Sequence, residues 1–177
     1  SDTHPYAKQT VRSIVKHSSN IGVIKIAEML GRERHWSYLD RFGFGTRSGV
    51  AIPGEASGLL RPPEQWAEIT RANIAFGQGV AVTPLQLVNA TAAIGNDGVL
   101  MEPRLVLAEL DSDGRIVRRY RPQPLRRVVS PEVAKQVRIA MTGVTEHDGT
   151  GHMAWIYDYD VAGKTGTAQK PDPIAGG

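Results

Sequence analysis

A chain of 177 residues that is 41% hydrophobic can bury one good core, and 21 cations against 18 anions, a net charge of +3, is too mild an excess to argue for nucleic acid. No run approaches the ~20 apolar residues of a membrane-spanning helix, the first residues carry no basic-then-apolar signal pattern, and the composition suggests neither disorder nor a coiled coil. The absence of cysteine excludes a disulfide framework, a thiolate zinc site and a cysteine nucleophile, and leaves the compartment open.

Thr10 reads as the cap of a first helix whose Val11, Ile14, Val15 and Ser18 form a stripe, so that Ser18 sits where the apolar face stops. Asn20 reads as the cap of a second helix, Ile21 to Leu30, closed by Gly31. A third short helix carries Trp36, Leu39 and Phe42 and ends at Gly43, after which 45–60 is irregular and rich in turns. Pro62-Pro63-Glu64 suits the first turn of a further helix, and Gly77-Gln78-Gly79 makes a tight passage between apolar residues. Thr83-Pro84-Leu85-Gln86 spells a capping box before a helix whose Leu85, Leu87, Val88, Ala90, Ala92, Ala93 and Ile94 predict burial all round.

Asp111-Ser112-Asp113-Gly114 is a turn cluster between Val99–Leu110 and Arg115–Tyr120, which predicts a hairpin. Its Arg118, Arg119, Arg121, Arg126 and Arg127 read as a solvated face rather than a phosphate grip. Ser130 and Pro131 open a last helix with Val133, Val137, Ala140, Met141 and Val144 as its buried stripe, and 146–152 reads as a mobile loop.

The stretch after that loop carries the chemistry. Tyr157, Tyr159 and Val161 alternate with Asp158, Asp160 and Ala162, the period of a strand. Continuing it through Gly163-Lys164-Thr165-Gly166-Thr167 puts Thr165 and Thr167 on one face and Lys164 and Gly166 on the other. Two hydroxyls, exposed backbone N–H groups and one ammonium could hold an anion there. A sheet edge guarded by a lysine, with glycines at bulges, is the plainer alternative.

Ser18-Ser19-Asn20 on a turn between helices, followed far downstream by Lys164-Thr165-Gly166, are two ordered parts of a serine acyl-transfer constellation. Together with Ala75-Phe76-Gly77-Gln78-Gly79 and Thr83-Pro84-Leu85-Gln86, they closely resemble the transpeptidase domain of class B penicillin-binding proteins, most nearly the division-specific, septal type of gammaproteobacteria. The resemblance implies an α+β fold of the penicillin-binding and serine beta-lactamase kind, a helical subdomain plus an antiparallel sheet. The implied activity is a D,D-transpeptidase that crosslinks peptidoglycan stem peptides through a serine acyl-enzyme during septal wall synthesis, and that beta-lactams acylate as mimics of D-Ala-D-Ala.

By motif, Ser18 would relay a proton toward the leaving amine, Asn20 would hold the acyl side-chain amide, and Lys164 would supply positive charge. Thr165, Gly166 and Thr167 would bind the terminal carboxylate, with the Thr167 N–H as an oxyanion donor. The resemblance implies no metal and no cofactor. Its implied partners are the stem peptide, beta-lactams, a membrane glycosyltransferase and other division proteins, and not nucleic acid. The implied location is the periplasmic face of the bacterial inner membrane, through an anchor outside this chain.

One departure stands out. Ser13-Ile14-Val15-Lys16 spells Ser-x-x-Lys, but it lies too close to Ser18 to be the family's nucleophile, so Ser13 and Lys16 read as ordinary exposed helix residues. Residues 1–177 are therefore expected to be the central part of one transpeptidase domain, with the nucleophile upstream and the last strands and carboxy-terminal helix downstream. Alone, such a piece is expected to be inert toward penicillin and to fold poorly, its sheet strand exposing apolar residues while 11–30 and 83–94 are better buried. A hydrolytic relative, whether carboxypeptidase or beta-lactamase, and a non-catalytic scaffold are the rival readings. Ser18-Ser19-Asn20 in place of Ser-Asp-Asn argues against a class A beta-lactamase. His17, His147 and His152 match no zinc spacing and read as surface histidines.

Overall fold

The computed structural model describes residues 8–50 and 52–166. Its contacts divide into two compact units, over 8–36, 61–80 and 136–166 and over 37–60 and 81–135. The third helix, Arg32–Arg41, and the last, Pro131–Thr145, contribute residues to each.

The first unit begins with α1 (Val11–Lys16), where Thr10 Oγ1 accepts from the Ser13 N–H at 3.2 Å as its capping position predicts. α2 (Asn20–Leu30) packs against it. Gly22 makes that possible, because a Cβ there would lie 2.7 Å from Ile14 Cγ1. After α3 (Arg32–Arg41), the turn expected at Pro62 is only a 3-10 turn, Pro63–Gln65. Trp66 leaves helical geometry at ψ 111 with its indole N–H donating to the Arg61 carbonyl at 2.9 Å, and α4 (Glu68–Ala75) starts after it and packs on α2. Ala27, Trp66 and Ile74 are among the buried apolar residues of this part.

The second unit is built on α5 (Pro84–Gly95), which has the capping box in full, Thr83 and Gln86 each bonding the other's backbone. Its inner face is Gln86, Ala90 and Ala93; Leu87 and Val88 are exposed, so the all-round burial predicted for this helix does not occur. Gln86 Nε2 donates to the Thr46 and Ser57 carbonyls at 2.7 and 2.9 Å, closing the irregular stretch onto the helix.

The extended run after α5 splits. β1 (Val99–Met101) pairs antiparallel with β4 (Pro124–Arg127), and β2 (Ala108–Leu110) with β3 (Ile116–Arg119). Pro103, which cannot donate to a ladder, falls between the halves. The predicted turn is present: Asp111 Oδ1 accepts from the Asp113 and Arg115 N–H groups at 3.0 and 2.8 Å.

Arg118, Arg119, Arg121, Arg126 and Arg127 are all exposed, as a solvated face predicts, while Arg126 and Arg127 also donate to the Arg41 and Asp97 carbonyls at 2.8 and 2.7 Å and Arg118 lies over the Tyr120 ring. Ala93, Leu100 and Val128 form the core, flanked by Tyr38, Phe42 and Val129. Gly98, at φ 81, closes it; a Cβ there would meet the Val129 carbonyl oxygen at 2.2 Å, so only glycine fits.

α6 (Pro131–Thr145) starts at Ser130 as predicted, but its buried face is Ala134, Ala140 and Val144, while Val133 and Val137 are exposed. The helical stretches 11–30 and 83–94 are better buried than 152–160, as expected, although α1 has no buried residue and α2 only Gly22 and Ala27. The expected exposure of the site-bearing stretch is observed, with Trp155, Ile156, Tyr157 and Tyr159 all more than half open to solvent. That stretch is not a strand among the described residues. Ile156 and Tyr159 form an isolated bridge around a turn at 157–158, with Asp158 at φ 63, and 161–166 pair with no other described strand.

Candidate active site

A forced turn supplies the first functional hydroxyl. α1 ends at Lys16 and the chain re-enters helix by Asn20, with Ser18 in the left-handed region at φ 52. A non-glycine residue there costs about 1–3 kcal/mol and persists only where its surroundings hold it. Ser19, 3% exposed, gives its hydroxyl oxygen to the Gly22 N–H at 3.0 Å. Ser19 is therefore the cap of α2 and Asn20 its first residue, which corrects the predicted capping role of Asn20. With the backbone held by Ser19, Ser18 and Asn20 line a cleft of about 810 Å³. Such a volume suits a small-molecule or peptide-end ligand.

The second element hangs on α6. Thr145 Oγ1 donates to the Val161 carbonyl at 2.6 Å, and the Gly163 N–H donates to the Met141 carbonyl at 3.2 Å. These bonds bring Lys164 to Ser18: its Nζ donates to Ser18 Oγ at 2.7 Å and to the Thr165 carbonyl at 2.9 Å, and lies 3.4 Å from Thr165 Oγ1. The alternation expected to separate Lys164 from Thr165 fails here, because the backbone is not a regular strand.

Burial pulls the Lys164 ammonium below the ordinary lysine pKa. A hydroxyl that accepts from an ammonium keeps its own proton to donate, so the pair can pass a proton and present charge together. Thr165 and Gly166 also line the cleft; Thr167 lies outside the described residues. No carboxylate lines the described walls, which leaves Lys164 as their one ionised group and favours an anionic ligand.

The opposite wall comes from α4 and the turn after it. Asn73, Phe76, Gly77 and Gln78 line it, the expected tight passage being a turn in which the Gln78 N–H donates to the Asn73 carbonyl at 2.9 Å. Thr150 was not foreseen. Its Oγ1 lies 3.0 Å from Thr165 Oγ1, and a hydroxyl between two glycines, Gly149 and Gly151, was the available signal.

Lys16 corrects two expectations. It is not an ordinary exposed residue: its side chain is only 16% open, and Nζ pairs with Glu146 Oε2 at 2.5 Å and Asp148 Oδ1 at 2.6 Å. Those two carboxylates raise its pKa, Asp148 most, so it stays cationic and cannot serve Ser13 as a base. The loop expected to be mobile is also tied down, by this pair and by the Gly151 N–H donating to the Val144 carbonyl at 2.8 Å.

An ammonium on a serine hydroxyl, in a cleft walled by helix and turn, brings together the two motifs on which the resemblance to penicillin-binding proteins rests. The chain belongs to the penicillin-binding protein transpeptidase domain family, which it matches over residues 1–177. It is 39% identical over 179 residues to penicillin-binding protein PbpB of Mycobacterium tuberculosis, covering 98% of this chain and 26% of that protein. It is 34% identical over 172 residues to peptidoglycan D,D-transpeptidase FtsI of Escherichia coli, covering 97% of this chain and 27% of that one.

Among solved structures, penicillin-binding protein 3 of Mycobacterium tuberculosis complexed with aztreonam superposes with a TM-score of 0.85 at 39% identity, covering 94% of this chain and 38% of that chain. The mycobacterial relative is thus more similar than the Escherichia coli one, against the gammaproteobacterial likeness first suggested by the motifs. The chain spans about a quarter of the curated relatives it matches.

Proposed function

We propose that these residues form part of the acyl-transfer site of a peptidoglycan D,D-transpeptidase acting in septal wall synthesis. The observation that carries the reading is the 2.7 Å bond from Lys164 Nζ to Ser18 Oγ inside the cleft. In this reading a serine supplied from outside these residues attacks the carbonyl of the penultimate D-alanine. The C–N bond breaks, and the nitrogen of the departing D-alanine takes a proton relayed by Ser18. An amine of a neighbouring stem peptide then attacks the acyl ester, loses a proton through the same relay, and restores the serine. Covalent catalysis divides one hard substitution into two easier ones.

Lys164 holds the relay in register and draws in the terminal carboxylate, which Thr165 receives. Asn20 holds the acyl side-chain amide, and Thr167 adds a hydroxyl and an oxyanion-stabilising N–H. Penicillins share the substrate's amide and carboxylate, and the mycobacterial relative's complex with ampicillin supports them as ligands. The same reading places the protein at the periplasmic face of the inner membrane, working beside a membrane glycosyltransferase and other division proteins, because the substrate is a lipid-linked wall precursor.

Intact-mass measurement of the full-length protein after exposure to benzylpenicillin tests the chemistry. A one-to-one adduct is expected in the wild type, with Lys164→Ala slowing its formation by orders of magnitude at unchanged folding. No adduct with any of several penicillins refutes the acyl-transfer reading, and recovery of the protein in the cytoplasmic fraction refutes the location.

A further inference from the structure

We propose that Lys16 is a positioning residue for this site, acting through the loop that carries Thr150; the inference rests on the acyl-transfer reading above. Lys16 grips the loop from two ends. Its Nζ holds Glu146 and Asp148 at 2.5 and 2.6 Å, and Glu146 also takes Arg12 NH2 at 3.1 Å. Its carbonyl oxygen accepts from the Thr150 N–H at 3.4 Å and from Thr150 Oγ1 at 3.3 Å. Thr150 Oγ1 in turn lies 3.0 Å from Thr165 Oγ1, and the Thr165 carbonyl and hydroxyl lie within reach of Lys164 Nζ. A continuous set of contacts therefore runs from a cation outside the cleft to the hydroxyl that receives the substrate carboxylate.

A bond network of this kind is more than a surface ion pair. Exposed pairs contribute little because two long side chains must be ordered in water. Here one ammonium with 16% of its side chain exposed meets two carboxylates, and the loop is otherwise held by turn bonds, from the Gly149 N–H to the Glu146 carbonyl and from the Gly151 N–H to the Val144 carbonyl, rather than by a helix or sheet ladder. Without the ammonium, two neighbouring carboxylates repel and the short loop opens away from α1. Thr150 then leaves Thr165, whose hydroxyl loses its fixed direction, while the helices on which the fold depends keep their packing. Neither Lys16 nor Thr150 touches the reacting atoms, so their effect falls on the geometry of the acylation step.

The test uses the full-length protein and benzylpenicillin, with the acylation rate separated into a dissociation constant and a maximum rate, beside thermal unfolding. Lys16→Met, which keeps the stem and removes the charge, is expected to lower the maximum rate by roughly tenfold or more, a penalty typical of small misplacements at a reacting site. Its unfolding midpoint is expected to stay near the wild type, and Lys16→Arg should restore most of the rate. Thr150→Val should reproduce the defect, and the double variant Lys16→Met with Thr150→Val should be no slower than either alone, since both break one route. Wild-type rates in Lys16→Met, losses that multiply in the double variant, or a rate loss that follows a lowered midpoint overturns the positioning role. A wild-type protein that takes no penicillin sinks the acyl-transfer reading instead, and this role with it.

Discussion

Replacing Thr145 by Val tests how the Lys164 segment is held, because the two side chains have the same shape and differ in one hydroxyl. Thr145 is 5% exposed, and its Oγ1 is within reach of two carbonyls, Val161 at 2.6 Å and Thr142 at 3.0 Å. One hydroxyl carries one proton, and the shorter contact takes it. Thr142 still ends a turn of α6 without it, but Val161 loses its tether, and the remaining bond from the Gly163 N–H to Met141 is longer, at 3.2 Å.

A buried acceptor left without its donor costs about 1–3 kcal/mol; Val161 is half-buried and reached in part by water, so the lower part of that range, about 1–2 kcal/mol, applies. That corresponds to roughly 5–30-fold in the ratio of seated to displaced segment. The full-length Thr145→Val protein should therefore acylate with penicillin more slowly, by up to that factor, and a Thr145→Ser protein, which keeps the hydroxyl, should recover. Acylation of Thr145→Val at the wild-type rate would refute the anchoring argument, since the valine leaves no cavity to blame.

Burial lowers the Lys164 pKa, so the folded protein gives up this proton at a lower pH than a free lysine, and the ammonium is present below that folded value and lost above it. The alkaline limb of the acylation rate is expected below the ordinary lysine range and should move upward in Lys164→Arg, whose guanidinium does not titrate; a limb indifferent to that substitution contradicts the assignment. Leu100→Ala, at 2% exposure against Ala93 and Val128, should lower stability by about 2–5 kcal/mol in denaturant unfolding, and a loss below the cost of its missing methyl groups would mean that the core closes over the gap.

The sequence alone determined what is decided within a few residues of chain. Thr10, the Thr83–Gln86 box, the Ser130 start and the Asp111–Gly114 turn all act through bonds spanning two to four residues, and all are where their side chains predict. The pairing of Ser18 with Lys164 was legible too, but only as two motifs whose chemistry belongs together, since nothing local links residues 146 positions apart. Only the tertiary structure decided the rest.

Which faces of α5 and α6 are buried depends on what packs against them, so Leu87, Val88, Val133 and Val137 stay exposed although their periodicity is sound. Alternation alone does not make a strand: the run before Lys164 folds into a turn at 157–158, with Asp158 at φ 63, and Lys164 and Thr165 meet where strict alternation would part them. Lys16 looks like any helix-end lysine until the fold brings Glu146 and Asp148 beside it, because charge partners more than a hundred residues away leave no trace in local pattern.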